Sequence, residues 1–477
     1  MMAIFDLPFS MEKEIITLAT RYRMNDFIKN YLMNLFGLDL ILKQSPTNLE
    51  LVQGYLNLVF MTITTLLGIL VFYKFIYLIM GTFAKSRKFV EKPKDKKYAF
   101  IVSARNEELV IGNLIKSIRQ QDYPQDLISI IVVADNCTDK TADICRDLGC
   151  VVYERHDLTK VRKGWALEWL FDHLKNENLI SSYDAFAIVD ADNVVSPLFI
   201  SKMNDAFQDG YDVVTSYRNI KNFSDNIVTS AFGLNWLRFV ISSHRPRSIL
   251  KCPTNINGTG FLVSSEIVKD GWKWTGLTED IELTTKLVAK GKKIIYCEEA
   301  QIYDEQPTSF KIGTRQRLRW SRGCLVNYYM NSWGLLWSFI KKPTWQKYDM
   351  YFEIFPYSLV TFILAFTYQV IAVVLLVMSG GNGLNSILNY LLTSIAGIYA
   401  GSLLTGIIIV IKEWKRIHVN LAQAILYLFI WPWFDIAGIP ISLISLFINV
   451  KWKQIPHTDT KDIDTLVKEE QAKENNK

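Results

Sequence analysis

Charge is scarce in this sequence. Asp, Glu, Lys and Arg make up 21% of its 477 residues, half of the chain is hydrophobic, and histidine occurs only five times. So apolar a chain is neither disordered nor composed like an ordinary soluble enzyme. Its length buries a core without disulfide or metal staples. The six cysteines (Cys137, Cys145, Cys150, Cys252, Cys297, Cys324) form no C-x-x-C pair, and their placement does not look like a secreted framework. All lie mid-chain, where a reduced, cytosolic setting suits them. The sequence has no H-E-x-x-H, no G-x-x-x-x-G-K-[ST] and no G-x-S-x-G, which removes the zinc-peptidase, P-loop and serine-hydrolase readings. His156, His173 and His244 are isolated and read as structural or solvated.

Long apolar runs are what the chain has in place of charge. Leu51 to Tyr73 is uncharged and long enough to cross a hydrocarbon core of about 30 Å. Lys85, Arg87, Lys88, Lys92, Lys94, Lys96 and Lys97 follow it, and a basic cluster beside a span marks the cytoplasmic side rather than a nucleic-acid patch. Residues 1–50 lack the apolar core of a cleavable signal and read as amphipathic surface helices. A second uncharged run, 354–411, is interrupted by Ser379-Gly380-Gly381-Asn382-Gly383, so it predicts two membrane helices near 354–378 and 386–411. Lys412, Lys415 and Arg416 return the chain to the cytoplasm. Leu421 to Val450 contains Pro432, Asp435 and Pro440, which predicts a broken or re-entrant hairpin, with a single kinked span as the alternative. The Trp-rich stretch 326–350 reads as interfacial helices, and 464–477 as a solvated tail.

Between residues 98 and 325 short β-rich runs (98–103, 128–134, 185–190, 212–217) alternate with helical patterns, which predicts an α/β domain with a mostly parallel sheet. Ligands bind beyond the carboxyl ends of strands in such sheets. Those ends read Ala104-Arg105-Asn106-Glu107-Glu108, Ala134-Asp135-Asn136-Cys137-Thr138-Asp139 and Asp190-Ala191-Asp192-Asn193. Three acidic strand ends make one crevice that wants a cation. An all-oxygen site favours Mg²⁺ or Mn²⁺, which commonly share their coordination with substrate phosphates. A nucleoside diphosphate is the natural partner. Asp135 or Asp139 can cap the helix that follows, and Asp139, beside Thr138, reads first as such a cap.

The ordered set Arg105-Asn106-Glu107, Ala134-Asp135-Asn136, Lys163-Gly164, Asp190-Ala191-Asp192, Thr278-Glu279-Asp280 and Gln316-Arg317-Leu318-Arg319-Trp320 resembles the family 2 glycosyltransferases. It is most similar to their membrane-embedded processive branch, the cellulose, chitin, hyaluronan and poly-N-acetylglucosamine synthases. The resemblance covers about 98–325 and implies a GT-A-type, Rossmann-like cytosolic domain inserted between transmembrane helices. It further implies Glu107 and Asp135 at the uridine, Lys163 near the diphosphate, and Asp190 and Asp192 as the D-x-D metal pair. Asp280 matches the general base, with Glu279 beside it. Gln316, Arg317, Arg319 and Trp320 match the motif at the diphosphate and acceptor terminus, and Asn257 and Gly258 a loop near the acceptor sugar. That loop lacks the Phe-Cys-Gly wording of cellulose synthases. Trp452, His457 and Thr458 resemble a gating loop that closes over the nucleotide.

These readings converge on a multi-pass plasma-membrane enzyme with a cytoplasmic catalytic domain. It is expected to be an inverting, metal-dependent transferase extending a β-linked polysaccharide from a UDP-sugar, UDP-glucose first and UDP-N-acetylglucosamine second. The alternatives are a non-processive transferase acting on a membrane lipid and a non-catalytic export scaffold. Expected partners are the donor, the growing glycan, the bilayer, and a second copy or an export or regulatory protein. No fused cyclic-dinucleotide-binding domain and no nucleic-acid partner are expected.

Overall fold

The computed structural model describes residues 47–417, 419–450 and 452–475, so the expected amphipathic segment before residue 47 lies outside the described residues. The chain divides into two units. One ends at Phe72 and includes Val360–Ser394; the other holds Tyr73–Leu359 and the chain from Ile395.

The first unit is helical. Asn48–Val71 opens on a reciprocal cap, in which Thr47 Oγ1 accepts from the Glu50 N–H and Glu50 accepts from the Thr47 N–H at 2.9 Å. Phe60 stacks on Tyr368 with ring centres 4.3 Å apart, and Tyr368 donates to Asn57 Oδ1 at 2.9 Å. Helices Tyr357–Met378 and Gly383–Glu413 are separated at the predicted glycine turn. Among the described residues four helical stretches are long and apolar enough to cross a membrane: Asn48–Phe83, Tyr357–Met378, Gly383–Arg416 and Leu421–Phe447.

The second unit is built on one eight-stranded sheet: β1 (Tyr98–Ala104), β2 (Ile128–Asp135), β3 (Val151–Arg155), β4 (Ala185–Asp190), β5 (Val194–Val195), β6 (Val213–Ile220), β7 (Phe261–Ser264) and β8 (Ile294–Asp304). Their order is β3-β2-β1-β4-β7-β6-β8-β5. The β3-β2-β1-β4 half and the β6–β8 pair are parallel, whereas β7 runs against both β4 and β6, so the sheet is mixed. Period-two alternation sorts β1 between two cores. Tyr98, Phe100 and Val102 face the helices Ile111–Arg119 and Phe199–Gln208, while Ala99 and Ile101 face Lys163–Asn176 and Glu279–Ala289.

Three elements depart from the sequence reading. Leu421–Phe447 is one helix containing both Pro432 and Pro440, not two half-helices. Near the first proline, Tyr399 donates to the Phe429 carbonyl at 2.9 Å, one residue beyond the Leu428 carbonyl that Pro432 leaves without its helical donor. Phe310–Lys341 runs unbroken across the expected boundary at 325, placing the Gln316–Trp320 motif and the exposed Trp333 and Trp337 on one helix. The Lys/Glu-rich end forms a helix, Ile463–Asn475, whose Ile463 and Leu466 bury against Val194 and Tyr303.

Buried ion pairs tie helix ends to this unit. Arg247 donates to both Asp349 oxygens at 2.7 Å and to Glu353 at 2.8 Å, and Lys74 reaches Glu353 at 2.9 Å. Arg245 is bidentate on Glu298 and donates to Glu413 at 2.6 Å, with Arg416 adding a bond to Glu298. Removing one member leaves a buried charge uncompensated. Asp349→Ala is expected to destabilise the unit by about 3–5 kcal/mol. The lowered melting midpoint of the detergent-solubilised protein checks this.

Candidate functional site

The parallel register aligns the strand ends. Ala104 pairs with Ala134 and Ser103 with Asp190, so the three acidic turns leave the sheet at one edge. Two turn on asparagines in the left-handed region, Asn106 (φ 52°) and Asn136 (φ 56°), a conformation Asn tolerates better than most residues. Asn106 Oδ1 accepts from the Thr138 N–H, and Asn136 Oδ1 from the Asp157 N–H, both at 2.8 Å. These bonds cross-link the loops that carry Glu107 and Asp135. Asp139 accepts from the Thr141 N–H and hydroxyl at the start of Thr141–Asp147, the capping role read from sequence.

Each carboxylate in the crevice meets a compensating group. Arg155 donates to Asp135 Oδ1 at 2.5 Å, opposing the burial that raises this carboxyl's pKa. Lys163 donates to Asp190 and, at 2.7 Å, to the Gly258 carbonyl. Lys163 opens its helix, and Gly164 beside it leaves room for the Trp274 carbonyl, which a Cβ there would meet at 2.6 Å. Arg218 donates from Nε and Nη2 to one Asp304 oxygen, Oδ2, and from Nη1 to the Asn257 carbonyl at 2.8 Å. The β6–β8 register shifts just before this arginine: Ser216 pairs with Cys297 and Tyr217 with Gln301, so the extra residues bulge from β8.

Asp280 lies near the top of Glu279–Ala289, half-buried, facing Gly258: a Cβ on Gly258 would sit 3.3 Å from Asp280 Oδ2. Gly258 has φ +80°, which glycine alone adopts freely. Burial raises the Asp280 carboxyl, while the Ile281 N–H, Arg319 and Lys163 pull it down. Burial and the Asp280 charge push Glu279 up to about 7. Arg319 donates to the Leu277 carbonyl at 2.9 Å, fixing Phe310–Lys341 beside the Thr278-Glu279-Asp280 segment. Trp320 packs edge-on with Phe232 and Trp236 at 5.8 and 5.5 Å.

The tail closes over this edge. His457 donates from Nδ1 to Glu107 at 3.0 Å, and its Nε2 lies 3.8 Å from Asp192 Oδ2. Asp192 and Glu107 raise the imidazole to about 10, against its burial. The Thr458 and Asp459 N–H groups both donate to Glu305 at 3.0 Å. Lys221, fully buried, joins the Asp192 and Asp459 carbonyls at 3.1 and 2.8 Å. Gln454 donates to the Arg105 carbonyl, and Arg105 lies over Trp452.

Glu107, Asp135, Lys163, Asp190, Asp192, Asp280, His457 and Thr458 are thus linked by these contacts at one sheet edge, with Glu279, Arg319 and Trp452 beside them, while Trp320 packs against Phe232 and Trp236. The Gln316 side-chain oxygen is buried with no hydrogen-bond partner among the described residues. Two expectations are displaced. Arg317 stacks on Phe434, 3.7 Å from the ring centre, on the side toward Leu421–Phe447, because its helix turns it away from Arg319. Asn257 spends its amide on His244 at 2.9 Å rather than offering it to an acceptor. The sequence reading missed Arg155, Arg218, Lys221, Asp304 and Glu305. Lys221 and the Asp304-Glu305 pair did carry a signal, charged residues at the ends of β-rich runs.

Asp190 and Asp192 offer hard oxygen donors suited to Mg²⁺ or Mn²⁺. Among the described residues no group of three or more His, Cys, Asp or Glu side chains is arranged to hold a metal unaided, so a cation here would draw further oxygens from a substrate.

The family model "Glycosyltransferase like family 2" matches residues 93–323. This segment is a family 2 glycosyltransferase domain. Its GT-A-like sheet carries the site described above. Among curated proteins, the "Probable glycosyltransferase YdaM" of Bacillus subtilis is 29% identical, over 56% of this chain and 63% of that one. A "Beta-monoglucosyldiacylglycerol synthase" of Nostoc is 25% identical, over 50% of this chain and 51% of its own. The "Poly-beta-1,6-N-acetyl-D-glucosamine synthase" of Staphylococcus epidermidis is 25% identical, over 47% and 54% respectively. The chain thus spans between half and two thirds of the length of these relatives.

Glu305→Ala removes the acceptor of two tail N–H groups, and hydrogen bonds to charged groups contribute about 1.5–3 kcal/mol. Trypsin is expected to cut at Lys461 about tenfold faster in this variant, since 1.4 kcal/mol is tenfold in an opening equilibrium. Limited proteolysis followed by mass spectrometry reads it.

Proposed function

We propose that this protein is a membrane-bound, inverting glycosyltransferase that uses a UDP-sugar and extends a β-linked glycan. The observation that carries this reading is the convergence at one sheet edge of Asp190, Asp192, Lys163 and Asp280, around the Gly258 loop. Sugar transfer needs the phosphate charge neutralised, an acceptor hydroxyl activated and the acceptor held. Glu107, Asp135 and Arg105 line the end of the crevice where a uridine would lie. Lys163 and Arg319 supply positive charge beside the departing diphosphate. Asp190 and Asp192 would hold Mg²⁺ or Mn²⁺, which when bound offsets the charge that develops on the leaving group. Asp280 accepts the proton of the attacking hydroxyl. Attack from the face opposite the leaving group turns an α-linked donor into a β-linkage.

Trp320, with Phe232 and Trp236 around it, offers an aromatic wall for an acceptor sugar. Beyond it, Arg238 Nη1 donates to both oxygens of Asp435, to which Ser402 also donates at 2.8 Å, giving a polar group on Leu421–Phe447 suited to hydroxyl-rich chains. This favours a growing polysaccharide, with UDP-glucose the first donor to try and UDP-N-acetylglucosamine the second. The exposed stripe Tyr329, Met330, Trp333, Trp337 and Ile340 favours a second reading, transfer to a membrane lipid. We place the catalytic unit on the cytoplasmic face of the plasma membrane, on the strength of the basic cluster at 85–97.

The test is sugar incorporation by purified protein in lipid with Mg²⁺ or Mn²⁺, comparing the two donors. A long polymer from one donor, absent with Asp280→Asn, is expected. A single sugar on lipid would replace the processive reading with the lipid one, and no sugar transfer in either form would remove the enzyme reading altogether.

The acid limb of the rate gives an independent check. Arg319 opposes the burial that raises the Asp280 carboxyl, so Arg319→Gln lets that pKa rise further. At any acidic pH less of the base is then unprotonated, and the acid limb of kcat moves to higher pH. A pH–rate profile of both proteins shows the displacement, and a limb that stays put or moves down would assign the proton transfer to another group.

A further inference from the structure

We propose that His244 is a positioning residue for the transfer reaction, anchoring from behind the Asn257–Gly260 loop on which the base, Lys163 and the D-x-D turn converge. This rests on the glycosyltransferase reading above.

The loop is a junction. Its Asn257 carbonyl accepts from Arg218 and its Gly258 carbonyl from Lys163, at 2.8 and 2.7 Å. Gly258 faces Asp280. Thr259 Oγ1 accepts from the Asp190 N–H at 2.9 Å and donates to Asn193 Oδ1 at 2.5 Å. The Gly260 N–H reaches the Ile188 carbonyl at 2.9 Å, tying the loop's end to β4. A displacement of this one segment therefore moves the lysine's acceptor, the surface facing the base and the turn bearing Asp190 together.

His244 is what grips the loop's first side chain. It ends the π-helical segment Val240–His244, a backbone form that recurs at functional sites. Its ring is 1% exposed and stacks on Tyr296, with centres 5.2 Å apart. Nε2 lies 2.9 Å from Asn257 Nδ2, and Nδ1 lies 2.6 Å from Thr254 Oγ1. Burial lowers the ring's pKa to about 4, so the imidazole is neutral at physiological pH. A neutral imidazole has one donor and one acceptor. With Asn257 donating to Nε2, the Nδ1–H donates to Thr254, and both ends of the ring are occupied.

The grip is fixed in turn. The next residue, Arg245, carries the bidentate bond to Glu298 and donates to the Gly81 carbonyl at 2.9 Å. His244 thus stands between a rigid ion-pair anchor and the loop. It touches none of the reacting groups.

The experiment compares His244→Gln, His244→Asn and His244→Ala in the full-length protein in lipid. Glutamine places its amide where Nε2 stands and can meet Asn257; asparagine reaches only the Nδ1 position. A misplacement of about 1 Å costs on the order of 100-fold in rate. We expect kcat to fall about 10- to 100-fold for Ala and Asn and to recover to within a few-fold for Gln. Donor KM should rise by less than kcat falls, because Glu107 and Asp135 sit on other loops while Lys163 and Asp190 contact this one. Asn257→Ala should lose as much as His244→Ala, and the double variant no more than either. Equal rates for the Gln and Asn variants, or losses that merely track the melting midpoint, would overturn the inference while leaving the enzyme reading intact. A wild-type protein without transfer activity would overturn both.

Discussion

Carboxylates crowded at the edge of a dry sheet repel one another, and their compensation organises this structure. An unpaired buried charge costs several kcal/mol or is neutralised by a shift in its pKa, so each acid at the strand ends has acquired a cation or a donor. Arg155 answers Asp135, Lys163 answers Asp190, and Arg218 answers Asp304. His457 stands between Glu107 and Asp192, and two tail N–H groups serve Glu305. The cations reach the edge from different stretches of the chain: Arg155 from β3, Lys163 from a helix N-terminus, Arg218 from β6 and His457 from the tail. Compensation of the acids is therefore also what draws these elements onto one edge.

Legibility in the sequence followed the range of the forces. The β-rich runs, the acidic turns after them and the glycine break at 379–383 are local signals, and the structure places strands and helix ends where those signals stand. Glu107, Asp135, Asp190 and Asp192 were visible because a strand end is a local event. Arg155 and Arg218 were not, since nothing near them in the chain says which carboxylate they meet. Leu421–Phe447 misled because two prolines do break an isolated helix, whereas here the helix continues through both, with Ala424, Tyr427 and Trp431 of its length packed in a core. The terminal helix was hidden because its apolar stripe is one turn long, Ile463 and Leu466 in a small core with Val467 packed against them, in an otherwise charged stretch. Arg317 was misplaced because a motif read as a string ignores helical phase: residues 317 and 319 are two apart, so they point to different faces.

Rigidity is distributed unevenly around the site. The helix Phe310–Lys341 is tied to Glu279–Ala289 by Arg319 on the Leu277 carbonyl and Asn327 on Thr285, and to Leu421–Phe447 by Arg322 on the Ser445 and Leu446 carbonyls. Trp320 and Asp280 consequently ride on one body, so the acceptor wall and the base keep their spacing. The segment from Trp452 to Lys461 differs. It is held by polar contacts to Glu305, Lys221, Asn113 and the Arg105 carbonyl, and by one imidazole, with no apolar residue among the buried core. Elements with few buried apolar contacts have the lowest cost of local opening. On the function proposed above, a cleft whose walls are fixed to each other would admit a nucleotide where its cover is least tied to a core, and the tail is that cover.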